Sequence, residues 1–184
     1  MSNRALVELA RSGDHEAFAS LVRAVAARLD GAARLILRDP ELARDAVQEA
    51  LIRAWRDLSG LRDLDAFDSW LHRLTVNACL DLARRRQRRA REIALTPLHS
   101  PSVGDNANAF VDRELLAVAL RRLDPEWRAL VVMHYYLGMP VPEAAASLGI
   151  PLGTAKSRLN RAVAQMRDVV AGDAEPMLAG GQAS

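Results

Sequence analysis

The chain has little of what disulfide-bonded, metal-binding and membrane-spanning proteins need. Cys79 is its only cysteine, so an intrachain disulfide and a cysteine-based metal cage are both excluded. The four histidines are scattered without the spacing of metal ligands, so we expect neither a metal nor a cofactor. No apolar run approaches the roughly 20 residues of a membrane span, and the N-terminal stretch MSNRALVELARSGD has no signal-peptide core. These absences predict a soluble cytoplasmic protein in which Cys79 is a small buried hydrophobic residue.

Sequence signatures of catalysis are also missing. The chain contains no glycine-rich phosphate loop, no Gly-x-Ser-x-Gly elbow and no convincing Ser/His/Asp set. Its closely spaced acidic residues do not match a calcium-binding loop; they are Asp57, Asp63, Asp65 and Asp68. A turn explains Asp63 and Asp65 better, with Asp65 placed to cap a helix that starts near Ala66. We therefore predict that the protein is not an enzyme and has no small-molecule substrate.

Strand signals are absent as well, and the chain is typical of an all-α protein. Apolar residues recur at helical spacing between clear stop signals, and half of all residues are apolar, which is enough for real cores. Asp14, Asp39 and Asp124 stand where N-caps are expected, and proline follows Asp39 and Asp124 at the first helical position. The third predicted helix has a buried stripe of Leu42, Ala46, Val47, Ala50, Leu51, Ala54, Trp55 and Leu58. The fourth has one of Phe67, Trp70, Leu71, Leu74, Ala78 and Leu82.

Residues 93–109 interrupt this helical pattern. Their sequence, IALTPLHSPSVGDNANA, combines prolines, serines and asparagines without periodicity and is longer than an ordinary connection within a domain. We therefore predict a flexible linker between two helical domains, 1–92 and 110–171. A Gly/Ala-rich tail, 172–184, is expected to be frayed.

Residues 149–167 carry the most informative pattern. Their sequence, GIPLGTAKSRLNRAVAQMR, ends one helix at Gly149 and opens another near Gly153, which together with the short helix at 142–148 predicts a helix-turn-helix. One stripe of the second helix is polar and basic, comprising Lys156, Ser157, Asn160 and Arg161, and the opposite stripe is apolar, comprising Ala155, Leu159, Val163 and Met166. The polar side chains suit the base edges of duplex DNA, with Thr154, Arg158 and Arg167 available for phosphates. A solvated face on an ordinary bundle would have the same pattern, so both interpretations stay open for this segment alone.

Positive charge is concentrated although the net charge is only +2. Six arginines fall within eight positions at the end of the fourth helix: Arg84, Arg85, Arg86, Arg88, Arg89 and Arg91. They adjoin an outward stripe of Arg73, Asn77, Asp81 and Arg84. A solvated helix end is the usual explanation for such a cluster, but its density favours contact with phosphates.

The third helix has an apolar residue on its charged face. That face comprises Asp45, Gln48, Glu49, Ile52, Arg53 and Arg56. An exposed Ile52 among charges indicates a docking surface for a protein partner. A single exposed aliphatic side chain is common, and Ile52 alone does not exclude that simpler explanation.

Three segments in this order resemble a bacterial RNA polymerase sigma factor of the small extracytoplasmic-function (ECF) type. Residues 45–55 (DAVQEALIRAW) are similar to region 2.2, which docks on the clamp helices of the polymerase β′ subunit. Residues 67–89 (FDSWLHRLTVNACLDLARRRQRR) are similar to regions 2.3 and 2.4, which melt and read the −10 promoter element. Residues 124–167 are similar to region 4, which binds the −35 element. The resemblance implies a subunit that binds core RNA polymerase, directs it to promoters and helps to open them.

The resemblance also implies roles for individual residues. The candidates for polymerase contact are Asp45, Gln48, Glu49, Ile52 and Arg53. The loop at 61–66 should hold an unstacked base of the nontemplate strand, and the −10 candidates are Arg62, Asp65, Arg73, Asn77, Arg84, Arg85 and Arg88. The −35 candidates are Thr154, Lys156, Ser157, Arg158, Asn160 and Arg161.

Further partners follow from the resemblance alone. The second domain is expected to contact the polymerase β flap, and the linker to thread toward the active site and RNA exit channel. Regulation is expected from a separate anti-sigma protein, which would hold the chain at the membrane without membrane insertion. One departure from the family is the stretch MPVPE at 139–143, where relatives often have an aromatic and acidic pair, so a different local path is expected there.

Two other functions compete with this interpretation. A helix-turn-helix repressor or activator would act on duplex DNA alone, but it would not need the face at 45–55 or the segment at 67–89. An enzyme or a purely structural helical protein is disfavoured because no catalytic constellation is present.

Overall fold

A computed structural model describes the backbone of residues 3–94 and 111–179 and the side chains of residues 3–90 and 115–171. All regular structure in these ranges is helical, as predicted. The helices are α1 (Asn3–Arg11), α2 (His15–Leu37), α3 (Pro40–Asp57), α4 (Phe67–Ala94), α5 (Val111–Arg121), α6 (Pro125–Val131), α7 (Val141–Leu148) and α8 (Leu152–Ala179). Two 3₁₀ turns, Leu58–Gly60 and Leu64–Ala66, join α3 to α4, and a π-helical turn, Val132–Tyr136, extends α6.

Aspartates begin two of the long helices, as predicted. Asp14 Oδ1 accepts hydrogen bonds from two first-turn N–H groups of α2, at 2.9 and 3.0 Å. Asp39 Oδ1 caps α3 in the same way, at 3.1 and 3.2 Å. Asp124 occupies the predicted N-cap position of α6, with Pro125 in the first turn, but its side chain forms no cap hydrogen bond.

Alanines form the fully buried stripe of α3. These are Ala43, Ala46, Ala50 and Ala54, each 0% exposed. The larger residues predicted for the same stripe, among them Val47, Leu51 and Trp55, are only partly buried. Small side chains let two helices approach closely, and α4 is the helix that packs most extensively on α3. The larger side chains therefore lie at the edge of this contact.

The second domain is built around the end of α6. Leu130 and Met133 pack there with Ala144 of α7 and with Ala155 and Leu159 of α8. In the π-helical turn, the N–H of Leu137 donates to the carbonyl of Val132, five residues back, at 2.9 Å. This longer turn moves Tyr135 out of the apolar face on which helical spacing places it, so that it is 63% exposed.

The two domains pack directly against each other. Ile36, Val76 and Leu80 of the first domain belong to the same buried cluster as Leu120 and Leu130 of the second. Helix α4 therefore has a second buried face, with Val76 0% and Leu80 3% exposed, outside the predicted stripe. That face is buried because α6 and α7 cover it.

The predicted linker and tail lie only partly within the described residues. Helix α4 continues to Ala94 and α8 to Ala179. Residues 93–94 and 172–179 are therefore helical, whereas the sequence predicts irregular structure there. Alanine, glutamate, methionine and leucine in these stretches are good helix formers. The rest of the predicted linker and tail, at 95–109 and 180–184, lies outside the described residues. The exact domain boundaries stay predictions.

Helix α4 also buries two titratable side chains. Cys79 is 0% exposed, as predicted, and burial raises the pKa of its thiol to about 12. His72 is 6% exposed, and its Nε2 atom is buried without a hydrogen-bond partner. Burial lowers the pKa of His72, and the nearby Arg28 lowers it further, while Asp68 opposes the shift.

Acidification is expected to destabilise the first domain through His72. Because its pKa is lower in the folded chain than in the unfolded one, the unfolded chain binds the extra proton as the pH falls below about 6.5. The free energy of unfolding should then fall by at most about 1.4 kcal/mol per pH unit for this one proton. Urea unfolding of wild type and His72→Leu between pH 7 and 5 measures the effect. The variant should lose this part of the slope, and equal slopes would contradict the assignment.

Candidate nucleic-acid and protein interfaces

A tight turn joins α7 to α8 as the helix-turn-helix prediction requires. Gly149 adopts the left-handed conformation (φ 65°), which glycine tolerates because it lacks a Cβ. The N–H of Ile150 donates to the carbonyl of Ala145 at 3.1 Å, which closes the end of α7. Pro151 then precedes α8, which begins at Leu152.

The exposed face of α8 is the one predicted from helical spacing. All four residues of the polar stripe are exposed, namely Lys156, Ser157, Asn160 and Arg161. Ala155, Leu159 and Ala162 are buried against the rest of the domain. The exposed stripe therefore offers two cations, an amide and a hydroxyl on one rigid helix, a combination able to both donate and accept hydrogen bonds at base edges.

The residues flanking this stripe have partners within the chain. Thr154 is half-buried, and its carbonyl accepts a hydrogen bond from Ser157 Oγ at 3.0 Å. Arg158 Nη1 lies 3.3 Å from Glu126 Oε2, at the start of α6. Arg158 is therefore paired with an acidic side chain in this arrangement.

The second basic surface runs along α4. Arg73 and Asn77 are half-exposed, and Arg84, Arg85 and Arg88 are exposed farther along the helix. Arg84 lies 3.1 Å from Glu126 and 3.7 Å from Asp81. Arg86, from the same cluster, instead pairs with Asp39 at 3.0 Å, across the start of α3.

The loop at 61–66 is anchored at two points and exposed between them. Leu61 and Leu64 are buried, whereas Arg62, Asp63 and Asp65 are exposed. The cap expected from Asp65 is supplied by Asp63, whose Oδ1 accepts the N–H of Asp65 at 3.0 Å, because a 3₁₀ turn precedes α4. Asp65 Oδ2 instead pairs with Arg4 Nη1 of α1 at 2.9 Å.

The charged face of α3 has an apolar centre. Ile52 is 60% exposed, as predicted. Asp45 and Gln48 are exposed beside it, and Glu49 is half-exposed. Arg53 is hydrogen-bonded to Glu49 and lies 3.6 Å from Asp81 of α4, so this face and the basic surface of α4 are joined by ion pairs.

An open groove of about 700 Å³ adjoins Ile52, and periodicity alone does not predict it. Its apolar lining comes from α2 and α3 and comprises Phe18, Val47, Leu51, Ile52 and Trp55. The Trp55 ring stacks on His15 with ring centres 4.4 Å apart and meets the edge of Phe18 at 5.1 Å. Helical spacing predicts Trp55 as part of the buried stripe of α3. The packing of α2 against α3 instead makes it a wall of the groove.

The described residues contain neither a candidate metal site nor a candidate membrane-spanning helix. No group of three or more His, Cys, Asp or Glu side chains there could hold a metal ion. Among the helices within 3–94 and 111–179, none combines the length and apolar character needed to cross a bilayer.

Known proteins match the chain in both domains. The Sigma-70 region 2 family matches residues 15–89, and the Sigma-70, region 4 family matches residues 113–166. The ECF RNA polymerase sigma factor SigM of Mycobacterium tuberculosis (strain Erdman) is 39% identical over 166 residues, which cover 90% of this chain and 83% of SigM. The RNA polymerase sigma-E factor of Streptomyces avermitilis is 35% identical over 136 residues, covering 74% and 75% of the two chains.

A solved structure agrees with these sequence matches. The structure of CnrH in complex with the cytosolic domain of CnrY aligns with a TM-score of 0.66 at 30% identity, covering 93% of this chain and 98% of CnrH. The helix-turn-helix, the basic helix α4 and the exposed face of α3 therefore belong to one known architecture. The chain is a member of the ECF family of RNA polymerase sigma factors, a non-enzymatic initiation factor that binds core RNA polymerase and promoter DNA.

Proposed function

We propose that this sigma factor reads the −35 element with the exposed stripe of α8. The observation that carries this proposal is the placement of Lys156, Ser157, Asn160 and Arg161 on one solvent-facing stripe of a helix-turn-helix. A helix of this kind fits the major groove, where arginine or lysine pairs with guanine and asparagine with adenine. Thr154 and Arg158 lie beside the stripe, where they can contact phosphates.

The −10 element is assigned to the loop at 61–66 and to α4. The buried Leu61 and Leu64 fix the loop, which leaves Arg62 and Asp65 at its surface. Arg73, Asn77, Arg84, Arg85 and Arg88 continue from it along α4. Cations along a strand neutralise phosphates and offset the few kcal/mol that unstacking a base costs.

The exposed face of α3 is proposed to bind core polymerase, with the β′ clamp helices as the partner. Ile52 supplies exposed apolar area, and Asp45, Gln48, Glu49 and Arg53 supply the polar rim that protein interfaces usually have. The second domain would contact the β flap. Since core polymerase acts in the cytoplasm, we place the chain there.

Control by a separate anti-sigma protein completes the proposal. CnrH, the similar solved protein, was captured with the cytosolic domain of a second protein, CnrY. A protein of that kind would hold this chain near the membrane without any membrane-spanning helix of its own.

Transcription by purified core polymerase tests the proposed function. Wild-type chain should select promoters with −35 and −10 elements from a randomised library and start transcripts from them. At a subsaturating concentration of the sigma factor, Arg161→Ala should lower the rate of initiation at the selected promoter by about 5- to 150-fold. This corresponds to about 1–3 kcal/mol for one base contact. Arg23→Ala, an exposed arginine of α2, is the matched control and should leave initiation unchanged.

One outcome would favour a repressor or activator of duplex DNA instead. Tight sequence-specific binding without polymerase, together with no gain in initiation, would contradict the sigma-factor roles assigned to these residues.

A further inference from the structure

A cavity of about 320 Å³ lies where the end of α2 meets α3, α4 and α6. All four helices contribute to its apolar wall, which comprises Ile36, Leu37, Leu42, Ala83, Ala90 and Pro125. Its polar lining consists of Arg38, Arg86, Gln87 and Arg128, and no aspartate or glutamate is among the residues that line it. A cavity of this size suits a small organic molecule, and a lining with three cations and no acid favours an anionic one.

Arg128 is a buried cation whose hydrogen-bond partners in the chain are neutral. It is 7% exposed, and its guanidinium donates to the backbone carbonyls of Ile36, Leu120 and Leu123 at 2.6, 2.8 and 2.7 Å. Within the described residues it forms no ion pair with a carboxylate. A guanidinium has five N–H groups, so two remain beyond these three hydrogen bonds.

Arg38 lines the same cavity from an unusual backbone conformation. Its φ is 59°, in the left-handed region where glycine or asparagine usually follows a helix. Backbone strain of this kind is common where a side chain has a function. Burial lowers the pKa of Arg128 to about 10, the charge of Arg38 adds to the shift, and Asp124 opposes it. The two cations therefore repel each other, and an anion bound between them would relieve the repulsion.

The third arginine has a partner at the rim of the cavity. Arg86 Nη1 lies 3.0 Å from Asp39 Oδ2, and Asp39 Oδ1 accepts hydrogen bonds from first-turn N–H groups of α3. Asp39 is therefore engaged through both of its oxygens. Among the described residues, positive charge remains in excess around the cavity.

We propose that this cavity binds a small organic phosphate, with the phosphate held by Arg38 and Arg128 and the organic part against the apolar wall. Arginine matches phosphate oxygens with paired hydrogen bonds. The nearly double negative charge of a phosphate monoester at neutral pH suits several cations better than the single charge of a carboxylate does. A backbone phosphate of duplex DNA is a poorer ligand here, because the buried Arg128 is out of its reach. The site is separate from the residues proposed to bind promoter and polymerase.

Isothermal titration calorimetry of the full chain with hexyl phosphate as the probe tests the proposal. Hexyl phosphate should bind at one site, about 10-fold or more tightly than inorganic phosphate, because its alkyl chain buries apolar area. Hexanol should give no measurable heat, and hexanoate should bind more weakly than hexyl phosphate. Equal affinities for hexyl phosphate and inorganic phosphate would mean phosphate contact at exposed arginines, of the kind that DNA makes, and would overturn the proposal. Equal binding of hexanoate would overturn the choice of phosphate, and the absence of any binding would overturn the site.

Two variants locate the binding in this cavity. Arg38→Gly removes one cation, and glycine suits the left-handed conformation, so the thermal stability of the free chain should not fall. Its affinity for hexyl phosphate should fall about 10-fold or more, as expected for a charge-assisted hydrogen bond. Ala83→Leu narrows the apolar part and should lower the affinity for hexyl phosphate toward that for inorganic phosphate. Arg23→Ala, at an exposed arginine of α2 outside the cavity, is the matched control and should bind as wild type does. Wild-type binding by the variants at 38 and 83 would overturn the proposal.

This binding is independent of the proposed function. Titration of the free chain needs neither polymerase nor promoter, so the proposed function can fail while the binding is still measured. A chain that starts transcripts but binds no hexyl phosphate would overturn the cavity site alone.

Discussion

Replacing Ile52 with aspartate is expected to weaken binding to core RNA polymerase by about 30-fold or more, which is about 2 kcal/mol. Ile52 is 60% exposed at the centre of a charged face and adjoins the groove walled by Trp55 and Phe18. The residues that contribute most to the binding free energy usually lie at the centre of an interface, inside a polar rim. Aspartate in its place would lose that apolar contact and would have to be desolvated without a partner.

The same substitution should leave the free chain folded. A side chain already in water contributes little to the folded state, so the free energy of unfolding should change by no more than about 0.5 kcal/mol. Fluorescence anisotropy with labelled chain measures the affinity for core polymerase, and thermal unfolding measures the stability. Leu9→Asp, at an apolar residue of α1 that is 41% exposed, is the matched control and should change neither. A variant at position 52 that unfolds would mean that Ile52 is a core residue.

Replacing Arg128 with methionine is expected to cost about 3 kcal/mol or more of the free energy of unfolding. Methionine retains much of the apolar stem but removes the guanidinium donor from the carbonyls of Ile36, Leu120 and Leu123. A buried acceptor left unsatisfied costs about 1–3 kcal/mol. The burial that lowers the pKa of Arg128 to about 10 also penalises the wild-type cation, so part of the loss is offset. The net change should nevertheless be large, because three carbonyls lose a donor at once, and only that of Leu120 keeps a backbone hydrogen bond, from the N–H of Leu123 at 3.3 Å.

Urea unfolding of the full chain measures this effect. Arg128→Lys should recover only part of the loss, because an ammonium cannot match the planar fork of a guanidinium. Arg122→Met, at an exposed arginine just before α6, is the control for removing a charge and should stay within about 0.5 kcal/mol of wild type. Equal stabilities of the variants at 122 and 128 would mean that water replaces the arginine at all three carbonyls.

Local features of this fold could be predicted from the sequence because they depend on few residues. Asp14 and Asp39 cap their helices through N–H groups only two and three positions away. The exposed stripe of α8 follows from helical spacing, because a helix packed on one side must expose the other. The isoleucine on the outer face of α3 is exposed for the same reason.

Features that arise where two distant segments of the chain pack together could not be predicted from helical spacing. Val76 and Leu80 are buried only because α6 and α7 cover a second face of α4. The groove beside Trp55 requires α2 and α3 to meet at a particular angle, and the shared carboxylate of Glu126 requires the two domains to touch. Helical spacing places Tyr135 on the apolar face of its helix, but the π-helical turn changes the helical phase, and no single residue indicates that change.

In the proposed complex, the close contact between α3 and α4 would also determine where a promoter opens. The alanines of α3 are fully buried where it packs on α4, and Arg53 of α3 lies 3.6 Å from Asp81 of α4. In the proposed complex, the helix that contacts polymerase and the helix that follows the nontemplate strand would therefore move as a single rigid unit. The distance from the polymerase to the first unpaired base would then be a constant of the fold, the same at every promoter that this sigma factor serves.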